Sequence, residues 1–277
     1  MTGFLSQRTF KDMNMIAYRQ LRSSVFPALA ALLLSLPVWA GSAQRAAPEW
    51  KRIADGVDYA TFSFSPSPED PSTAIHAFRV DPRKLKLDVV TAKDEQSGST
   101  AAELARRSGA SLVINGGFFT PDHRSIGLIV KDGRELSPLH RTSWWSVFSI
   151  SGETPAIHSL KDFPGPSSVR MALQVGPRLA VEGRIPKLKE NVAARSAVGI
   201  TRGGEVVIAI TQGPGISMTE LARRMSMSGS EGGLSCPDAM ALDGGSSSQI
   251  HAKFGKFELS LANIARVTNG LAVFTRK

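Results

Sequence analysis

The feature that most limits what this chain can fold into is the brevity of its apolar runs. Beyond residue 50 they are of strand length and are repeatedly closed by glycine, proline, Asn-Gly or Asp-Gly. Strands are therefore expected at 56–64, 74–80, 85–91, 111–114, 146–150, 171–175, 239–242 and 271–274. Two hairpins are expected, one turning at Asp132-Gly133 after 127–131, the other joining 195–201 to 205–211 around Gly203-Gly204. Only two stretches carry helix signals. At 101–108, Thr100 precedes and Glu103 can reach back in a capping box, with Gly109 as the stop; at 218–227, Ser217 and Glu220 repeat the pattern. Many strands and two helices without βαβ alternation predict an α+β fold: a single strand-rich domain with a mixed β-sheet and a few helices. With 277 residues, 42% of them hydrophobic, one substantial core is within reach.

The N-terminus reads differently. Arg8, Lys11, Arg19 and Arg22 precede the apolar run Val25 to Leu36, and small residues follow at Ala40, Gly41, Ser42 and Ala43. A positive head, a short apolar stretch and a small-residue exit are the marks of a secretory signal peptide. Residues 1–43 are expected to be that leader, with 44–277 as the working domain; an uncleaved anchor is the alternative, and the run is short for a bilayer span. The domain is thus expected outside the cytoplasm, periplasmic or extracellular, touching a membrane only if the leader is retained. The formal charge is +9. Without residues 1–43, Lys+Arg falls from 33 to 29 and Asp+Glu from 24 to 23, leaving +6. Such a balance favours an anionic partner. Nucleic acid is a poor candidate, because the basic residues form no stripe interleaved with aromatics. Cys236 is the only cysteine, so no intramolecular disulfide can form; it reads as a small buried residue.

Two distant segments share one design. Leu112-Val-Ile-Asn115-Gly116-Gly117 and Met240-Ala-Leu-Asp243-Gly244-Gly245 each run from an apolar strand into a polar residue and paired glycines. Glycine lets backbone approach a ligand or take positive φ, and a strand end holds the neighbouring polar group in place. Either segment alone is equally an ordinary turn. Asp243, after an apolar stretch, should be partly buried and so either paired or in use. Ser246, Ser247 and Ser248 add hydroxyls and N–H groups suited to sugar or phosphate oxygens. Arg195 stands at the head of an apolar strand, where its guanidinium either forks onto a phosphate or caps the strand at the surface; Arg266 has the same two readings. The pair Trp144-Trp145 reads as core before it reads as a sugar-stacking surface. Other chemistries fare worse. No HExxH or CxxC supports zinc, no P-loop lysine follows the glycines, and no GxSxG elbow supports a serine hydrolase. No cofactor is implied; Ca²⁺ beside the carboxylates is conceivable, without a distinctive ligand run.

Five ordered segments carry a resemblance: Ile114-Asn115-Gly116-Gly117-Phe118-Phe119, Ala194-Arg195-Ser196-Ala197-Val198-Gly199, Ser217-Met218-Thr219-Glu220-Leu221-Ala222, Ala241-Leu242-Asp243-Gly244-Gly245-Ser246-Ser247 and Arg266-Val267-Thr268-Asn269-Gly270-Leu271. Together they resemble the phosphodiester glycosidase family, which includes the uncovering enzyme that removes N-acetylglucosamine from phosphodiester-capped mannose. Gly127-Leu-Ile-Val-Lys-Asp-Gly133 is similar to its bacterial secreted subset. The resemblance implies a hydrolase that cleaves the bond between a sugar anomeric carbon and phosphate in a sugar-1-phosphodiester, on a cell-envelope or extracellular glycan. It implies Asp243, Arg195 and Asn115 as catalytic residues, and Gly116, Gly117, Phe118, Gly244, Gly245, Ser246, Ser247 and Arg266 as substrate-binding. Asp122 and Asp238 are candidate helpers. Two departures are plain: many members carry Asp-Gly-Arg after the strand that precedes the second helix, where this chain has Thr211-Gln212-Gly213-Pro214, and the last motif often reads Arg-Pro-Val, where this chain has Arg266-Val267. The rival reading is a non-catalytic envelope protein that binds anionic glycan.

Overall fold

The computed structural model describes residues 47–276 except 66, 68 and 94–96; the expected leader, 1–43, lies outside the described residues. Among the described residues, three sheets and two α-helices, with three short 3-10 turns, make up the fold. In spatial order the first sheet holds β1 (Lys51–Ala54), β2 (Val57–Phe64), β3 (Thr73–Val80), β13 (Val206–Gln212), β12 (Ser196–Ile200), β14 (Asp238–Ala241) and β11 (Arg178–Ala180). The second holds β7 (Arg134–Ser137), β6 (Ile129–Lys131), β10 (Met171–Val175), β8 (Ser146–Ser151) and β9 (Thr154–Ser159). The third holds β16 (Phe257–Leu261), β15 (Ile250–Phe254), β5 (Leu112–Asn115), β17 (Asn269–Thr275) and β4 (Leu85–Thr91). The strand-rich α+β organisation is as expected. The pairings among described residues are antiparallel rather than mixed, because neighbouring strands are joined by hairpins and long returns and no helix makes a parallel crossover.

The period of two along each strand sorts side chains between layers. In β13, Val206, Ile208 and Ile210 enter the core shared by all three sheets. Val207 and Ala209 face the other way, onto α2 (Met218–Ser226), with Leu221, Ala222 and Met225. In β5, Leu112 and Ile114 join the shared core while Val113 meets Leu104 and Ala105 of α1 (Ala101–Ser108). Strands covered on both faces need continuous apolar runs, which is how V-V-I-A-I and L-V-I read.

Both helices start as expected, with one difference. The Thr100–Glu103 box is complete, and Gly109 closes α1 at φ +74°. At α2, Ser217 accepts from the Glu220 N–H at 3.2 Å, but the Glu220 carboxylate turns to Arg224 Nε at 2.6 Å. Arg224 is buried, and a buried guanidinium has a stronger claim on the carboxylate than a neutral N–H at a half-buried helix start.

Candidate active site

The ends of β5 and β14 belong to different sheets, yet they meet. Asp243 N donates to Gly116 O at 3.0 Å, and Asn115 Nδ2 donates to Asp243 O at 2.7 Å. Asn115 Oδ1 accepts from Ser196 Oγ at 2.7 Å and from Gln249 N at 3.1 Å. One fully buried amide thereby fastens β5 to the head of β12 and to both sides of the Asp243 turn. Its side chain is enclosed, and both its oxygen and its nitrogen are committed to these partners. Gly116 is glycine for a steric reason: a Cβ would sit 2.1 Å from Asn269 Oδ1, the atom that accepts from Gly117 N at 2.7 Å. Gly117 is confined less severely, since its Cβ would be 3.0 Å from Gln174 O.

Asp243 itself is half-buried. Gly244 N donates to its Oδ1 at 2.9 Å. Burial pushes its carboxyl above the usual aspartate range, against the opposing pull of the Ser247 hydroxyl and the Gly244 N–H. Gly245, at φ +60°, donates to Ala194 O at 2.8 Å. From the other side Asn263 Nδ2 donates to Gly245 O at 3.0 Å and Ala265 N to Ser246 O at 3.1 Å. Ser246 is exposed; Ser247 is buried.

Arg195 lies alongside. It is 6% exposed, and among the described residues it forms no ion pair. Its Nε donates to Ile216 O at 3.2 Å, its Nη2 to Asn191 O, and its backbone N–H to Thr211 Oγ1 at 2.8 Å. A Cβ on Gly244 would lie 3.7 Å from Nη1, which puts the guanidinium against the turn that carries Asp243. Burial lowers its pKa, but an arginine stays protonated. A cation without an acidic partner among the described residues is therefore held against the Gly244 turn, one residue after Asp243. Ile216, whose carbonyl Arg195 grips, also lines a cavity of about 760 Å³ with Val192, Pro214, Ser217 and Glu220; Asp243 is not part of that lining.

The other expected residues divide. Phe118 stands beside the site and packs on Trp145, ring centroids 4.9 Å apart. Trp145 is buried, whereas Trp144 is 54% exposed; the expected core pair is half core. Arg266 is drawn elsewhere: it donates to Ser97 O and Gly98 O and pairs with Glu103 at 2.6 Å, bracing the start of α1. Asp122 is exposed and pairs with Arg124, and Asp238 pairs with Arg178 at the opposite end of β14. At the departure point, Gln212 Oε1 is 2.8 Å from His76 Nε2, whose Nδ1 is 2.7 Å from Tyr59 Oη. No three His, Cys, Asp or Glu side chains gather to hold a metal among the described residues. Sequence reasoning missed Ser196, Gln249 and Asn269 as the buried polar frame. Gln249 also accepts from Ala101 N at 2.7 Å and donates to Ala265 O at 2.8 Å. Polar residues inside otherwise apolar segments were the available signal.

A model of the phosphodiester glycosidase family matches residues 108–274, more than half of the chain, from β5 through β17. The chain belongs to the phosphodiester glycosidase family. Asn115, Arg195 and Asp243 all fall in the part that matches the family model. The uncharacterized protein YigE of Escherichia coli K12 is 28% identical over 160 residues, 52% of this chain and 63% of YigE. The catalytic domain of zebrafish N-acetylglucosamine-1-phosphodiester alpha-N-acetylglucosaminidase, auto-inhibited by its pro-peptide, superposes with a TM-score of 0.62 at 14% identity over 83% of this chain and 87% of that one. A hypothetical protein from Synechocystis gives 0.59 at 16%, over 83% of this chain and 64% of that one. A Burkholderia pseudomallei protein described as exported gives 0.53 at 12%, over 75% of each. The chain spans less than two thirds of YigE and of the Synechocystis protein. At such identities the structural likenesses show a shared fold.

Proposed function

We propose that this phosphodiester glycosidase family member hydrolyses sugar-1-phosphodiesters of a cell-envelope or extracellular glycan, breaking the bond between the anomeric carbon and the phosphate oxygen. The observation that supports this most is the unneutralised Arg195 guanidinium held against the Asp243 turn. Bond cleavage leaves oxocarbenium character on the sugar, which a nearby carboxylate stabilises or to which it directs water. The departing phosphate monoester is already a good leaving group, so its growing charge needs donors more than it needs a strong acid. Arg195, whose Nη1 faces the Gly244 turn, is preorganised for that duty. Asn115 fixes the spacing between Arg195 and that turn from behind. Ser246, exposed at the rim, is a partner for sugar hydroxyls.

The zebrafish relative is named for N-acetylglucosamine, so a nitrophenyl phosphodiester of that sugar is the first substrate to try. The parent should turn it over, and Asp243→Asn should lower turnover about a hundred- to a thousandfold, with an unchanged melting temperature. If no sugar phosphodiester in a panel reacts while anionic glycan still binds, the non-catalytic reading takes its place. Export belongs to the same proposal. Among the described residues no helix is long and apolar enough to cross a membrane, and the leader-like segment precedes them. Mass spectrometry of secreted protein should find a start near Gly41 or Gln44; an intact Met1 refutes cleavage.

A further inference from the structure

The loop between β7 and β8 presents an aromatic side chain that the mechanism above does not use. Trp144 leaves 54% of its surface in water, an unfavourable place for the largest apolar side chain unless something covers it in use. Its backbone is firmly held. A Cβ on Gly176 would come 2.8 Å from the Trp144 carbonyl oxygen and 3.0 Å from Trp145 Cα, and Trp145 N donates to Thr142 O at 3.3 Å. The ring is held as well. Trp145 meets it at 90°, centroids 5.6 Å apart, and Phe118 at 56° and 6.0 Å. Neither neighbour lies flat on the indole, so the exposed ring is buttressed without being stacked upon.

Two short backbone routes join this ring to Asp243. Phe118 follows two residues after Gly116, whose carbonyl accepts from Asp243 N. Pro177, next to Gly176, accepts from Ala241 N at 2.9 Å, two residues before Asp243. The exposed indole and the half-buried carboxylate are thus carried by the same framework.

We infer that Trp144 is the platform on which the substrate's sugar ring stacks as its anomeric carbon is presented to Asp243. The inference rests on the glycosidase reading and adds a specificity-determining residue to it. A pyranose has a face of C–H groups and a rim of hydroxyls. The C–H face suits the electron-rich face of an indole, while the hydroxyls stay free for polar partners such as Ser246. Stacking also fixes the plane of the ring, and with it the direction in which the C1–O bond leaves. Sugars whose axial hydroxyls interrupt that face are disfavoured.

The test uses probes that cannot react: C-glycosyl methylphosphonate monoesters of N-acetylglucosamine, glucose, galactose and mannose, with dimethyl phosphate as a sugar-free control. Binding is measured by calorimetry on the parent, Trp144→Ala and Trp144→Phe. For the best probe, Trp144→Ala should weaken binding about tenfold and Trp144→Phe about threefold, with dimethyl phosphate and the melting temperature unaffected. On the nitrophenyl phosphodiester the loss should fall mainly in KM. If no member of the panel loses affinity in Trp144→Ala, or none binds the parent, the platform is wrong. The two claims separate cleanly. Turnover that is indifferent to Trp144 removes the platform and leaves the glycosidase; Trp144-dependent probe binding without turnover does the reverse.

Discussion

Asp243 combines partial burial, a backbone donor and a serine hydroxyl, with no cation contributing to its ionisation. Since burial dominates, its folded-state pKa stands above the unfolded value of about 3.9. Above the unfolded pKa the native state therefore binds more protons than the unfolded one, and the contribution of Asp243 to stability falls as pH rises through that interval. Activity carries the opposite sign. If the carboxylate is the working form, the acid limb of kcat should lie above the ordinary aspartate range. A pH–rate profile whose acid limb sits at or below pH 4 contradicts this assignment. At this scale the sequence disclosed the chemistry of the side chains but not their aim. Asn115 and Asp243 were both visible as polar residues after apolar strands, and only folding shows that the amide turns inward to bind backbone while the carboxylate stays half open. Arg195 and Arg266 had identical readings. What separates them is that Glu103, at the N3 position of α1, captures Arg266, while among the described residues no acid pairs with Arg195.

Elements were more legible, because each is governed by residues close in sequence. The α1 box is complete, with Glu103 N to Thr100 Oγ1 at 3.2 Å and Thr100 N to Glu103 Oε2 at 2.9 Å. Thr100→Ala should lower stability by about 1 kcal/mol, read by urea denaturation; an unchanged midpoint means that Gln249, which accepts from Ala101 N, holds the helix start unaided. The β15–β16 hairpin went unread although Ile250, Ala252 and Phe254 alternate cleanly against Phe257, Leu259 and Leu261. Its turn is built on Gly255 at φ +57° followed by lysine, without the Asn-Gly or Asp-Gly that advertised the β6–β7 turn. β9 carries Pro155, which an edge strand tolerates and which hides it from pattern reading. β1 and β11 are short edges whose existence depends on partners far along the chain.

For the molecule as a whole, the fact beyond the sequence is which sheets adjoin. Alternation assigns faces within a strand and says nothing about which of three sheets will share a core. Asn115 is where that arrangement is secured, since its amide bonds to β12 of one sheet and to both flanks of the turn that leads into β15 of another. Asn115→Ala strands a buried hydroxyl, a buried N–H and a carbonyl together, at a cost of about 3–5 kcal/mol. The variant should unfold in one transition at lower denaturant; loss of activity with stability intact would instead make Asn115 a group that touches substrate. The solitary thiol has a consequence at this scale too. Cys236 is wholly enclosed, and its surroundings disfavour the thiolate, so the fold owes nothing to a disulfide, and its stability should be the same with and without a reductant, as denaturation in the two conditions checks.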